Sequence, residues 1–108
     1  MRRALLALVL IGCSAPAFSQ TMSTATITMI RTGWNVDSFA LVTAEPVLNP
    51  ANCPTPDGYL SASTHPGYST YYAAALTAYS LSQPVVVIIH NTQCALSRPL
   101  LIGINLGG

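Results

Sequence analysis

Alternating apolar and polar residues predict short strands along much of the chain. Residues 24–31 alternate apolar side chains with threonines, which is the period-two, β-branched pattern of a half-buried strand. Turn residues at 32–35 interrupt this pattern, and residues 38–43 resume it as the return strand of a hairpin. Residues 58–63 predict a short third strand.

A helix is predicted after the break formed by His65, Pro66 and Gly67. Ser69 or Thr70 is a suitable N-cap, and the helical pattern continues to about residue 81. One face carries apolar residues at helical spacing, which predicts that this face packs in the core. The residues of that face are Tyr72, Ala75, Leu76 and Tyr79.

Two further strands follow the helix. Residues 85–89 are five consecutive β-branched apolar residues, which predicts a strand covered on both faces. Residues 98–106 alternate again and predict the last strand. The closely spaced prolines of residues 45–57 remove backbone donors and fix φ, so we expect a long loop there.

The order strand, strand, strand, helix, strand, strand predicts a mostly-β fold. Five strands with a helix between the third and the fourth suit a small OB-fold-like barrel. An open α+β sheet packed on one helix is the alternative. The barrel is favoured because closure removes exposed strand edges, which a chain with so few charges has little means to guard.

The N-terminal segment has the order of a secretory signal. Arg2 and Arg3 precede an apolar run at residues 4–12, and small residues follow up to Ser19. The run is too short to span a bilayer. We therefore expect residues 1–19 to be a signal peptide and residues 20–108 to form a single secreted or periplasmic domain.

A second cleavage is compatible with the same segment. Leu10, Ile11, Gly12 and Cys13 fit a bacterial lipobox, in which Cys13 becomes the lipidated first residue. The product is a membrane-anchored lipoprotein, because buried acyl chains supply membrane affinity. Apart from this alternative, the sequence predicts no association with a membrane.

Cys53 and Cys94 are the two cysteines that remain after cleavage behind Ser19. Export places them in an oxidising compartment, so we expect them to form a disulfide. A reactive thiol pair or a metal site completed by His65 and His90 is the alternative reading, but the spacing matches no zinc pattern. The sequence predicts neither a metal nor a cofactor.

The predicted mature domain carries few charges. Arg31 and Arg98 oppose Asp37, Glu45 and Asp57, which gives two minus three, or −1, and the chain contains no lysine. Binding to nucleic acid requires clustered basic residues, so we exclude it. Neutral ligands or self-association suit this composition better than ionic partners.

The turn after the first strand holds the candidate ligand site. Trp34, Asn35 and Asp37 combine an apolar ring with hydrogen-bonding groups, which suits a glycan or a peptide. The alternative is that Trp34 is buried and that Asn35 only makes the turn. The sequence has no Gly-x-Ser-x-Gly elbow, phosphate loop or metal-binding helix, so we expect a binding domain rather than an enzyme.

Residues 68–90 carry aromatic residues, an Ala/Leu-rich helix, a short break and a Val/Ile strand. This arrangement resembles the B subunits of AB5-type bacterial toxins, in particular the subtilase-cytotoxin and pertussis-like branch. The resemblance implies an exported, disulfide-bonded OB-fold domain that binds a glycan and forms a homo-oligomeric ring. A structural or protein-interaction domain without a small ligand is the alternative function.

Overall fold

A computed structural model gives the fold of residues 20–33 and 35–107. This part of the chain forms a mostly-β domain with one helix, as predicted. In chain order the elements are β1 (Gln20–Ala25), β2 (Ile27–Thr32), β3 (Ser38–Thr43), β4 (Tyr59–Ala62), α1 (Tyr68–Ser80), β5 (Val85–Ala95) and β6 (Arg98–Leu106).

The strands form one six-stranded sheet with the order β1-β5-β6-β4-β3-β2. Neighbouring strands are antiparallel, except that β4 and β6 are parallel. The sheet is not closed, since β1 and β2 are its two edges. The open sheet packed on one helix is thus the arrangement found, rather than a closed barrel.

The two edges of the sheet meet at Thr26. The predicted strand 24–31 is divided here, because β1 pairs with β5 whereas β2 pairs with β3. Only Thr26 separates β1 from β2, so chain continuity forces the sheet to curl until its edges converge. The alternation of side chains continues through this corner, with Ala25 and Ile27 both buried, which is why the pattern predicts a single strand.

Both backbone groups of Thr26 are hydrogen-bonded at this corner. Its N–H donates to Oε1 of Glu45 at 2.8 Å, and its carbonyl accepts the N–H of Ala44 at 2.9 Å. Glu45 is therefore a structural acceptor for a backbone donor that the change of ladder leaves unpaired.

The core lies between the sheet and α1. Its largest fully buried members include Tyr59, Phe39, Leu41, Ile89, Leu101 and Val87. Ala75 and Ala78 are the buried residues of the helix, and their small side chains let it approach the sheet closely. With this face packed inward, Leu76 and Tyr79 are each 44% exposed. The prediction that these two residues pack in the core is wrong, because the small alanines take the contact.

Strand β5 is buried mainly on one face. Val85, Val87 and Ile89 are buried, whereas Val86 and Ile88 are half-buried, so the prediction of two covered faces is only partly met. Gly103 stands opposite Ile88, and a Cβ there would lie 2.9 Å from Cδ1 of Ile88. Because Gly103 has no side chain, the Ile88 side chain can pack directly against the backbone of β6.

The ends of α1 use backbone geometry rather than capping side chains. Gly67 is the N-cap with φ 82°, so the predicted Ser69 and Thr70 caps lie inside the helix. A Cβ on Gly67 would come within 2.5 Å of the Tyr71 ring. At the other end Ser82 is left-handed with φ 53°, and the N–H of Gln83 donates to Ala78 in a Schellman motif.

The predicted proline-rich loop joins β3 to β4, and it is fastened to the β5–β6 hairpin. Cys53 and Cys94 form the expected disulfide, across a sequence separation of 41 residues. Asn49 accepts the Cys53 N–H and donates to its carbonyl, at 2.8 and 3.0 Å. The N–H of Thr55 donates to the carbonyl of Ser97 in the hairpin turn at 2.9 Å.

We expect Glu45→Ala to lower the free energy of unfolding by about 1–2 kcal/mol, since it leaves the Thr26 N–H without its acceptor. Glu45→Gln is the matched control, because its amide oxygen can still accept that hydrogen bond. Urea denaturation measures both. Equal loss in the two variants would show that the charge, and not the acceptor, matters.

We expect the double variant Cys53→Ala/Cys94→Ala to lose about 4 kcal/mol of unfolding free energy, because the closed loop restricts the unfolded chain. The measurement is denaturant unfolding of the variant beside the oxidised protein. Reduction of the wild type with dithiothreitol should give a similar loss. Unchanged stability in both experiments would contradict a structural role for this disulfide.

Candidate functional site

The turn between β2 and β3 is fixed by its own backbone. Gly33 and Asn35 have φ of 100° and 73°, a left-handed conformation that glycine and asparagine tolerate best. The Gly33 N–H donates to the Ser38 carbonyl at 3.1 Å, and the Ser38 hydroxyl donates to the Gly33 carbonyl at 2.9 Å. Asp37 is thereby held at the end of a closed turn.

Asp37 is connected to the first turn of α1. The Tyr68 hydroxyl donates to Oδ1 of Asp37 at 2.7 Å. The ring centroid of Tyr68 lies 5.5 Å from that of buried Phe39, and the Tyr72 ring packs edge-on against Phe39 at 5.3 Å. Phe39 therefore positions both tyrosine rings from beneath.

The hydrogen bond to Asp37, with smaller contributions from burial and from the Asp37 charge, raises the pKa of Tyr68 to about 12. Tyr68 consequently remains a protonated donor throughout the neutral pH range. Its hydroxyl and the Asp37 carboxylate act as one oriented polar pair.

A cleft of about 450 Å³ opens beside this pair. Its wall combines aromatic rings, a half-exposed valine, a carboxylate and hydroxyl groups. The lining residues are Thr32, Gly33, Val36, Asp37, Ser38, Tyr68 and Tyr72. Such a surface can cover an apolar ligand face while it hydrogen-bonds hydroxyl groups.

The predicted site residues have different outcomes. Asp37 lines the cleft, and Asn35 is exposed in the adjoining turn, where its positive φ supports the turn-forming role. Trp34 lies outside the described residues, as do Cys13 and the predicted signal peptide, residues 1–19. Tyr68 and Tyr72 were not predicted at the site. Their four-residue spacing at the helix start was the available signal, but core packing explains it equally well.

The three carboxylates of residues 20–33 and 35–107 have separate partners. Asp37 accepts from Tyr68, and Glu45 accepts from the corner backbone. Asp57 binds both arginines, with its Oδ1 at 3.1 Å from Nη2 of Arg31 and 2.7 Å from Nε of Arg98. Each of these carboxylates therefore has a hydrogen-bond or ion-pair partner of its own.

The Asp57 cluster has a steric requirement. A Cβ on Gly58 would lie 2.9 Å from the Leu41 carbonyl oxygen and 3.2 Å from Nη2 of Arg31, so glycine leaves room for this approach. The hydrogen bond from Arg98 and the charges of both arginines hold the pKa of the Asp57 carboxyl below its usual range, against an opposing effect of burial.

His65 and His90 each accept backbone hydrogen bonds at one ring nitrogen, so both side chains stabilise the backbone around them. Among residues 20–33 and 35–107, no group of three or more histidine, cysteine or acidic side chains is placed to hold a metal ion. The sulfur atoms of Cys53 and Cys94 are joined in the disulfide, so neither is a thiolate that could bind a metal ion.

Comparison of the chain with models of known protein families and with curated proteins finds no match. Within the described part of the chain, α1 is not the kind of long apolar helix that crosses a bilayer. The disulfide is compatible with an extracellular or periplasmic location.

We expect Asp37→Ala to lower the pKa of Tyr68 from about 12 toward the ordinary tyrosine value of about 10. The raised pKa means that the hydrogen bond stabilises the fold fully below pH about 10 and is lost as pH rises through about 12. Ultraviolet titration of tyrosinate measures the change.

Tyr68→Phe identifies the relevant step in the titration, since it removes that hydroxyl. A titration curve of Asp37→Ala that coincides with the wild-type curve would refute the coupling between the two side chains.

Proposed function

We propose that this protein is an exported, non-enzymatic binding domain that recognises a glycan in the cleft beside Asp37 and Tyr68. The observation that carries the proposal is the 2.7 Å hydrogen bond from Tyr68 to Asp37, which orients a carboxylate beside two aromatic rings. Oriented acceptors beside a ring are suited to hydroxyl groups on one face of a sugar.

The charge distribution supports a neutral ligand. Asp57 engages both Arg31 and Arg98, and neither arginine lines the cleft. An acidic sugar would have to approach Asp37 without a cation in the described lining to offset repulsion. We therefore propose a neutral glycan rather than an anionic one, and no binding of nucleic acid.

Export and self-association belong to the same proposal. The signal-like residues 1–19 and the Cys53–Cys94 disulfide support secretion or a periplasmic location. Exposed apolar side chains supply surface for a homo-oligomer, as expected from the resemblance to toxin B subunits. Met22 on β1 and Leu106 on β6 are 52% and 49% exposed.

A protein-interaction domain without a small ligand is the second candidate. The C-terminal half of α1 and its C-cap favour it, because Leu76 and Tyr79 are 44% exposed and the C-cap Leu81 is 63% exposed. A lipid on Cys13 would anchor the same domain to a membrane. Light scattering and intact mass of the mature protein distinguish a free oligomer from a lipidated monomer.

A glycan array on the mature protein tests the main proposal, followed by affinity measurements on the sugar that binds best. We expect Tyr68→Phe to weaken binding about five- to tenfold, since it releases the orienting hydrogen bond of Asp37. Asp37→Ala should weaken binding at least as much.

Tyr79→Phe is the matched control, because it removes one hydroxyl from the exposed part of the same helix. Its affinity should equal that of the wild type. An array without saturable binding, or equal affinities for Tyr68→Phe and Tyr79→Phe, would reject this cleft as a glycan site.

A further inference from the structure

A second cleft, of about 330 Å³, lies between the start of α1 and strands β5 and β6. Its wall is mostly apolar and includes Pro66, Tyr71, Leu100 and Ile102. His65 and His90 also line it, together with Gln93. It shares no lining residue with the Asp37–Tyr68 cleft, so a ligand here would be independent of the proposed glycan site.

The backbone determines which nitrogen of each imidazole carries the proton. Nδ1 of His65 accepts the N–H of Ala62 at 2.9 Å. Nδ1 of His90 accepts two backbone donors, the N–H groups of Thr92 and Gln93, both at 3.1 Å. A ring nitrogen that accepts carries no proton, so in each neutral ring the proton is on Nε2.

This proton placement leaves Nε2–H as the one donor of each neutral imidazole, and both residues line the cleft. A metal ion bound at Nε2 would require the proton to move to Nδ1, which would then face backbone N–H groups instead of an acceptor. Three backbone hydrogen bonds would be lost. The two rings are therefore suited to ligand oxygen atoms rather than to metal.

The lining also selects against a charged ligand. Its described residues include no lysine, arginine, aspartate or glutamate, and Asp57 binds both arginines of this part of the chain. A carboxylate moved into an apolar cleft without a cation loses hydration that two neutral N–H donors replace only in part. A carbonyl oxygen can accept hydrogen bonds from the same two N–H groups, and it does not lose the hydration of a charge.

We propose that this cleft binds an uncharged amphiphile, whose carbonyl head accepts from Nε2–H of His65 and His90 and whose aliphatic chain contacts the apolar wall. The volume is at the small end of ligand sites, which suits a single chain of medium length. A glycan would leave most of its hydroxyl groups against apolar side chains, so the cleft is not a second sugar site.

Decanamide and decanoate are the probes, because they share a chain and differ in the charge of the head. We expect decanamide to bind saturably by isothermal titration calorimetry, and decanoate to bind at least tenfold more weakly at neutral pH. Decanoate binding as tightly as decanamide would overturn the proposal, and so would the absence of decanamide binding.

His65→Asn and His90→Asn test the donors separately. The asparagine oxygen can replace Nδ1 as the backbone acceptor, whereas the Nε2–H donor is lost, so each variant keeps the local fold and removes one ligand contact. We expect each to weaken decanamide binding about tenfold. Tyr68→Phe, in the other cleft, should leave decanamide affinity unchanged.

Nitrogen-15 NMR of the imidazoles provides an assay that does not require ligand. The neutral form of both rings should carry its proton on Nε2. A ring with its proton on Nδ1, or wild-type decanamide affinity in both asparagine variants, would refute the assignment of these histidines as donors.

Discussion

The continuity of the chain through Thr26 is the constraint on which the sheet depends. Residues 20–25 and 27–32 belong to opposite edges, yet a single residue joins them. The sheet must therefore curl, and the curl gives its concave side the volume that α1 fills. A corner also costs backbone hydrogen bonds, because a residue that leaves one ladder does not yet belong to the next. Glu45 and Ala44 meet that cost by accepting from and donating to Thr26.

The long loop between β3 and β4 acts as a second constraint on the curled sheet. Asp57 reaches Arg31 on β2 and Arg98 on β6, and the disulfide attaches Cys53 to the end of β5. These contacts bridge strands that are not neighbours in the sheet, so they restrict its curvature directly. Individual exposed ion pairs contribute little, but here a carboxylate shared by two arginines is combined with a covalent link.

The sequence predicted the elements well because each depends on local pattern. Residues 38–43 and 98–106 match β3 and β6. The closely spaced prolines of residues 45–57 correctly predict the loop between β3 and β4. A change of the neighbouring strand with which a segment pairs is not visible in the sequence pattern. The alternation from Ala25 to Ile27 is the same whether or not the pairing strand changes between them. The pattern does not predict the buried helix face for a related reason, since the burial of the small Ala75 and Ala78 depends on how closely α1 approaches the sheet.

The same distinction explains the candidate site. Asp37 was identified from the polar turn, but its partner Tyr68 lies 31 residues further along the chain, and no spacing rule connects them. The fold makes the connection, because Phe39 follows the turn on β3 and packs against Tyr68 and Tyr72 at the start of α1. Because Asp57 binds both arginines, the polar groups in the two proposed clefts are the Asp37 carboxylate, hydroxyl groups, an amide and two imidazoles. The binding proposed for these clefts would therefore depend on hydrogen-bond direction rather than on charge, and the corner and the loop supply the rigidity that such directional contacts require.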